Sequence, residues 1–119
     1  MVEATASDYH AQLKILMDNY VNKVYDYSMH FPKDEMFGVT SQLRRSSMSV
    51  ILNYIEGYAR QRPAVYKNFL EISYGSLKES KYLIYFCNQR DYLSNEQYKE
   101  LLTLNDRIGA MLWGILSKM

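Results

Sequence analysis

Two histidines, one cysteine and 13 carboxylates are the groups in this 119-residue chain that could hold a metal or move a proton. Their spacing decides what they can do. A carboxylate-bridged di-metal centre in a helical bundle needs Glu-x-x-His on two helices and a glutamate on each of the others. Three residues before His10 and His30 stand Ser7 and Tyr27, so that centre is excluded. The two histidines fall at opposite ends of one predicted helix, which excludes a His-x-x-x-His zinc face. Cys87 stands alone and so forms neither an intramolecular disulfide nor a cysteine-based zinc site. Beside Phe86, late in a helix, it reads as a buried and inert thiol. Ser46, Ser47 and Ser49 have no histidine near them in sequence, and no glycine-rich loop resembles a phosphate cradle. His30, next to a helix end and Pro32, does not suit a phosphorelay. The chain reads as non-enzymatic, with no cofactor and no metal.

What remains is polarity in an unusual place. The stretch SQLRRSSMSVILNYIEGYARQRP, residues 41 to 63, threads polar residues through apolar ones. Gln42, Arg45 (or Ser46), Ser49, Asn53, Glu56 and Arg60 form a polar line at helical spacing. With Glu79 from the next helix, Gln42, Arg45, Asn53 and Glu56 are expected to form a buried or interfacial polar network that fixes helix register. The other reading is a lining for a groove, or for a channel between subunits, that meets a ligand or nucleic acid. If Arg45 and Glu79 both face inward, pairing would offset part of a large desolvation cost.

Charge is also uneven. The net charge is +1. Residues 1–42 hold three basic and six acidic side chains, and residues 71–119 hold six of each. Residues 43–70 hold Arg44, Arg45, Arg60, Arg62 and Lys67 against Glu56 alone. These five are the candidate contacts to nucleic acid or a partner. One such patch is a weak footprint, and a solvated helix end has the same composition. Repeated around an oligomer, the patch becomes a field that a polyanion can feel.

Four helices are expected to carry these residues, over about 8–30, 35–60, 63–89 and 94–117. In the first, Leu13, Met17, Tyr20, Val24, Tyr27 and Phe31 recur at three- and four-residue steps. Asp8 is placed as its cap, and Phe31-Pro32 as its end. The second carries two apolar stripes, Leu43/Ser47/Val50/Tyr54 and Met48/Ile51/Leu52/Ile55/Ala59, so it needs more than one neighbour. Its first turn, around Gly38, is expected to be looser. Pro63 suits the first turn of the third helix, where Glu79 interrupts one stripe and Gly75-Ser76 makes a thin spot for close approach. Ser94 and Gln97 have capping-box spacing, and Leu93 and Tyr98 staple spacing. Gly109 and Gly114 each lower helix propensity by ~1 kcal/mol, so close packing is expected there. No stretch alternates with period two. The expected architecture is all-α: a single domain, 1–119, folded as an up-down-up-down antiparallel four-helix bundle.

No apolar run reaches the ~20 residues of a membrane span, and MVEATASDYH lacks a signal peptide's layout. A soluble, cytoplasmic protein is expected, with no membrane partner. Twelve tyrosines are many for this length, and tyrosine is enriched at interfaces. Together with the two apolar faces of the second helix, they predict a homo-oligomer.

Three signatures then stand in order: FPKDEMFGVTSQLRR, NYIEGYAR and FLEISYGSLKE. They resemble the 23S ribosomal RNA intervening-sequence proteins, also called S23 ribosomal proteins. The residues that carry the resemblance are Phe31, Pro32, Lys33, Gly38, Thr40, Ser41, Gln42, Arg44, Arg45, Asn53, Glu56, Gly57, Phe69, Leu70, Gly75, Ser76 and Glu79. It spans about residues 8 to 116. The resemblance implies a cytoplasmic bacterial four-helix bundle that assembles as a ring-like homopentamer. A related branch resembles the accessory variability determinant of diversity-generating retroelements, which implies a reverse transcriptase, RNA or DNA as partner. Many members carry proline where this chain has Ile51, so the second helix is expected to run straight through here.

Overall fold

The computed structural model describes residues 6–119. The first five residues of MVEATASDYH, on which the absence of a leader was argued, lie outside the described residues. Four helices follow: α1 (Ala6–Ser28), α2 (Val39–Tyr58), α3 (Pro63–Gln89) and α4 (Asn95–Leu116). A short 3-10 helix, Lys33–Glu35, precedes α2. No strand occurs among the described residues.

The helix ends show how local chemistry sets the boundaries. Asp8 is not the cap of α1. It sits inside the first turn, where a carboxylate favours the positive end of the helix dipole. The helix closes at Ser28 through tightened turns, with Phe31 N–H donating to the Ser28 carbonyl (3.1 Å). The second helix starts later than its polarity pattern suggested. Gly38 leaves helical geometry, with ψ −118°, so residues 33–35 form a separate turn. From Val39, α2 runs unbroken past Ile51. Pro63 occupies the first turn of α3, and Arg62 before it makes no side-chain cap bond. That helix ends with Asp91 in the left-handed region (φ 61°). Tyr92 N–H reaches the Cys87 carbonyl (2.8 Å) and Asp91 N–H the Asn88 carbonyl (3.1 Å), a Schellman ending without glycine. Ser94 and Gln97 form the full capping box of α4.

One apolar core joins all four helices. Leu13, Met17, Tyr20 and Val24 of α1 meet Leu43, Val50 and Tyr54 of α2. Leu70, Leu77 and Ile84 of α3 and Leu101, Ile108 and Leu112 of α4 complete it. Each helix touches its sequence neighbours, α1 also touches α4, and the α2–α3 contact is the most extensive. Small residues let α2 and α3 approach. A Cβ on Gly57 would stand 2.8 Å from Phe69 Cβ, Ser73 Oγ donates to the Val50 carbonyl (2.6 Å), and Ser49 and Ser76 share a hydrogen bond (2.8 Å). Gly75 is different: its Cβ position opens onto free space, so the thin spot within the chain is Ser76. Gly109 and Gly114 do pack closely, against Leu77 and Tyr9.

Candidate functional site

The core-facing stripe of α2 is Leu43, Ser47, Val50, Tyr54 and Gly57, all buried. Its second apolar stripe is left open by a single chain. Leu52 is 55% and Ile55 44% exposed, and Phe37, just ahead of the helix, is 94% exposed. Along this side runs a groove of about 610 Å³, with Tyr25, Phe37, Arg44, Arg45, Leu52 and Asn53 among its lining. Arg44 is held in place: its Nε donates to Ser28 Oγ (2.7 Å), and its guanidinium lies 4.9 Å from the centre of the Tyr25 ring. Arg45 is exposed.

The five predicted basic contacts do not form one patch. Arg44 and Arg45 flank the groove near the start of α2. Arg60 lies about 22 Å away at the far end of α2, at 1.5 Å per residue from 45 to 60, with Arg62 before Pro63 and Lys67 in the first turns of α3. There Arg60 and Arg62 border an open hollow over the α2–α3 turn. Arg60 pairs with Glu56 and stands over the Phe69 ring (5.5 Å). Lys67 is exposed near Trp113.

The predicted polar network is likewise dispersed on one chain. Gln42, Arg45, Glu56 and Glu79 are exposed. Arg45 and Glu79 do not face the core, because hydrated charges on the outside avoid the desolvation that burial imposes. Asn53 alone of the set makes a half-buried contact, donating to the carbonyl and hydroxyl of Ser49 (both 2.9 Å).

Two polar clusters escaped sequence reasoning. In the core, Tyr20 Oη meets Ser80 Oγ (2.9 Å), and Asn105 Nδ2 donates to Tyr20 Oη and to the Leu77 carbonyl (both 3.1 Å). The signal for it was a polar residue at a core-register position on α3 and on α4. At one end of the bundle His10 Nδ1 meets Tyr54 Oη, with the Tyr58 ring nearby, tilted by 51° at 4.7 Å between centroids. Burial pushes the His10 imidazole below its ordinary value. Burial first, and then neighbouring tyrosines, push the Tyr54 phenol up. Tyr54 therefore keeps its proton and can donate it to a neutral His10. That pairing links α1 to α2; it does not activate a nucleophile.

Burial, with a smaller effect of Glu35, pushes the Cys87 thiol up to about 12, the signature of an unreactive cysteine. On the surface the hydrogen bonds from Lys23 and Tyr27 hold the Glu100 carboxyl low. Among the described residues no three His, Cys, Asp or Glu side chains gather as a metal site. No described helix is long and apolar enough to cross a membrane.

Comparison with known proteins converges on one family. The family model described as 23S rRNA-intervening sequence protein matches residues 13–114. Among solved structures, a protein of unknown function from the S23 ribosomal protein family of Bacteroides thetaiotaomicron VPI-5482 superposes with a TM-score of 0.80. It is 22% identical, over 87% of this chain and 97% of that one, so the likeness is one of fold. No curated protein matches the sequence.

Proposed function

The chain belongs to the 23S rRNA-intervening sequence protein family, and we propose that it is a non-enzymatic, oligomeric interaction protein. It presents arginines to nucleic acid or to a nucleic-acid enzyme. In this reading the helices run up-down-up-down in a single cytoplasmic domain, and copies close into a ring-like homopentamer. The observation that carries the proposal is the groove beside α2. There Arg44 and Arg45 share a wall with Phe37 and Leu52, which one chain leaves bare. A contiguous exposed apolar surface of this kind marks an interaction site, and a closed ring is the economical way for identical copies to cover one. The ring would then gather one Arg44–Arg45 pair per subunit into a common positive field.

Two measurements test this. Light scattering should give a mass several times 14.1 kDa; a monomer at working concentration overturns the assembly. Filter retention of structured RNA should weaken steeply with salt, as phosphate contacts release counterions; retention that is absent at micromolar protein, or indifferent to salt, overturns the role of the arginines as nucleic-acid contacts.

A second reading has its own support. Arg44 is engaged by Ser28 and Tyr25, and Arg60 by Glu56 and Phe69. Arginines already bound within the chain fit a purely structural homo-oligomer. Arg45→Ala separates the two: lost RNA retention at unchanged mass supports the first, and a dissociated oligomer supports the second.

A further inference from the structure

The α3–α4 side of the bundle carries a second surface, separate from the α2 groove. Trp113 is the chain's single tryptophan, and 57% of it is exposed. An indole this open gives up burial that α4 could have gained. It stands beside Tyr74 of α3, with ring centroids 6.0 Å apart and planes tilted by 41°. The two rings, with Lys67, Glu71 and Leu116, line a cleft of about 300 Å³. That is the low end of small-ligand pockets, suited to one flat ring rather than to a helix. Lys78 Nζ lies 5.1 Å from the Tyr74 ring centre, so a cation also borders the aromatic pair. Lys67, Glu71, Tyr74 and Lys78 follow one another at four-, three- and four-residue steps and so share a face of α3. Two lysines therefore bracket the aromatic pair over about 16 Å of helix.

The geometry points to a stacking platform for an unpaired nucleobase of single-stranded RNA or DNA, with Tyr74 and Trp113 as the platform and Lys67 and Lys78 as its phosphate contacts. This rests on the nucleic-acid reading proposed above and narrows it to unpaired strands. Aromatic platforms with flanking cations bind single strands because every base offers a π-face and every linkage a negative charge. A duplex keeps its bases stacked inside and cannot offer those faces to the cleft. The Glu71 carboxylate beside the rings can accept a hydrogen bond from the exocyclic amine of cytosine, adenine or guanine. Uracil and thymine have no such amine.

Trp113 reports on its own site. The intact protein is titrated with oligo(U), oligo(C) and a blunt RNA duplex of the same length at low salt, while indole fluorescence is followed. Saturable quenching by the single strands, with oligo(C) bound more tightly and the duplex weakly, is the expected result. Trp113→Ala should weaken oligo(C) binding about tenfold, measured by filter retention, and Trp113→Phe should restore most of it. Glu71→Gln should remove the preference for oligo(C). Structured RNA retained with no quenching, and with Trp113→Ala binding as well as the unaltered protein, overturns the platform while leaving the arginine reading intact. Quenching by single strands without retention of structured RNA supports the platform and overturns the arginine reading. Absence of both overturns both.

Discussion

Asn105 and Arg45 are both polar residues set among apolar ones, and the chain treats them in opposite ways. Asn105 is buried, and its amide finds acceptors on two other helices. Its bonds can be assigned without conflict. Ser80 donates to the Leu77 carbonyl (2.8 Å), Tyr20 can donate to Ser80, and Asn105 donates one hydrogen to Tyr20 and one to Leu77. Arg45 lies on the outside, beside the bare side chains of the α2 groove. The difference lies in what desolvation costs. A neutral amide with its hydrogen bonds made is cheap to bury, whereas a guanidinium needs a paired charge. Polarity inside this chain therefore fixes how α1, α3 and α4 meet, and charge outside it stays hydrated.

The largest expected effect breaks the inner half of that contrast. Asn105→Ala strips a donor from both Tyr20 and the Leu77 carbonyl and opens a small void. It should lower stability by about 2–4 kcal/mol, or roughly 10 °C or more in melting temperature. Thermal unfolding by circular dichroism measures it. A change under about 0.5 kcal/mol, the range of ordinary surface substitutions, would show that the three side chains are neighbours without being a network.

Next is a pair of identical substitutions with opposite signs. At Gly57 a new Cβ meets Phe69 Cβ at 2.8 Å and Tyr66 at 3.3 Å. Gly57→Ala should therefore destabilise by about 1–2 kcal/mol, overpacking outweighing the gain in helix propensity. At Gly75 nothing stands within 4 Å, and Gly75→Ala should stabilise by about 0.5–1 kcal/mol. Chemical denaturation of both variants checks the signs. Equal signs would mean that the close approach of α2 and α3 is not where Gly57 places it.

These two glycines also show what the sequence could and could not tell. Features set by a few adjacent residues were readable: the Ser94–Gln97 capping box, Pro63 opening α3, and the uninterrupted α2 through Ile51. Stripes were readable too, but not their direction. The two apolar stripes of α2 have the same helical period, and only packing against α1 and α3 makes Leu43, Val50 and Tyr54 the inner one. For the same reason Glu79 turns out to face solvent, and Gly75 beside its stripe with it, while Leu83 of that stripe is buried and Ser76 meets α2. Asn105 and Tyr20 are 85 residues apart, and no local pattern announces their contact. Among the candidate contacts, the identities of the basic residues were plain, yet their division between the two ends of α2 required the helix to be laid out in space.

A smaller effect follows from the His10–Tyr54 contact at the end of the bundle. The folded state holds His10 below its ordinary value of 6.5. A group with a depressed folded value binds more protons when unfolded, so stability falls as pH drops below about 6.5. Between pH 7.5 and 5.5 the melting temperature should decline by a few degrees, roughly what 1 kcal/mol or less produces. His10→Gln should flatten that decline. An equally steep decline in the variant would assign the dependence to other groups, and the contact would then join the outer, replaceable kind.

The smallest expected effect on the fold lies at the most exposed apolar residue. Phe37 is 94% exposed and gains almost nothing from its own chain, so Phe37→Ser should change the stability of the dissociated chain by no more than about 0.5 kcal/mol. On an assembled protein the same change should reduce the mass seen by light scattering, because an aromatic side chain in a buried contact commonly contributes 2 kcal/mol or more there. A dilution series separates the two quantities, since assembly depends on concentration and intrachain stability does not. If Phe37→Ser instead unfolds the chain at every concentration, the bare face of α2 belongs to the fold, and the division between inner and outer polarity loses its outer half.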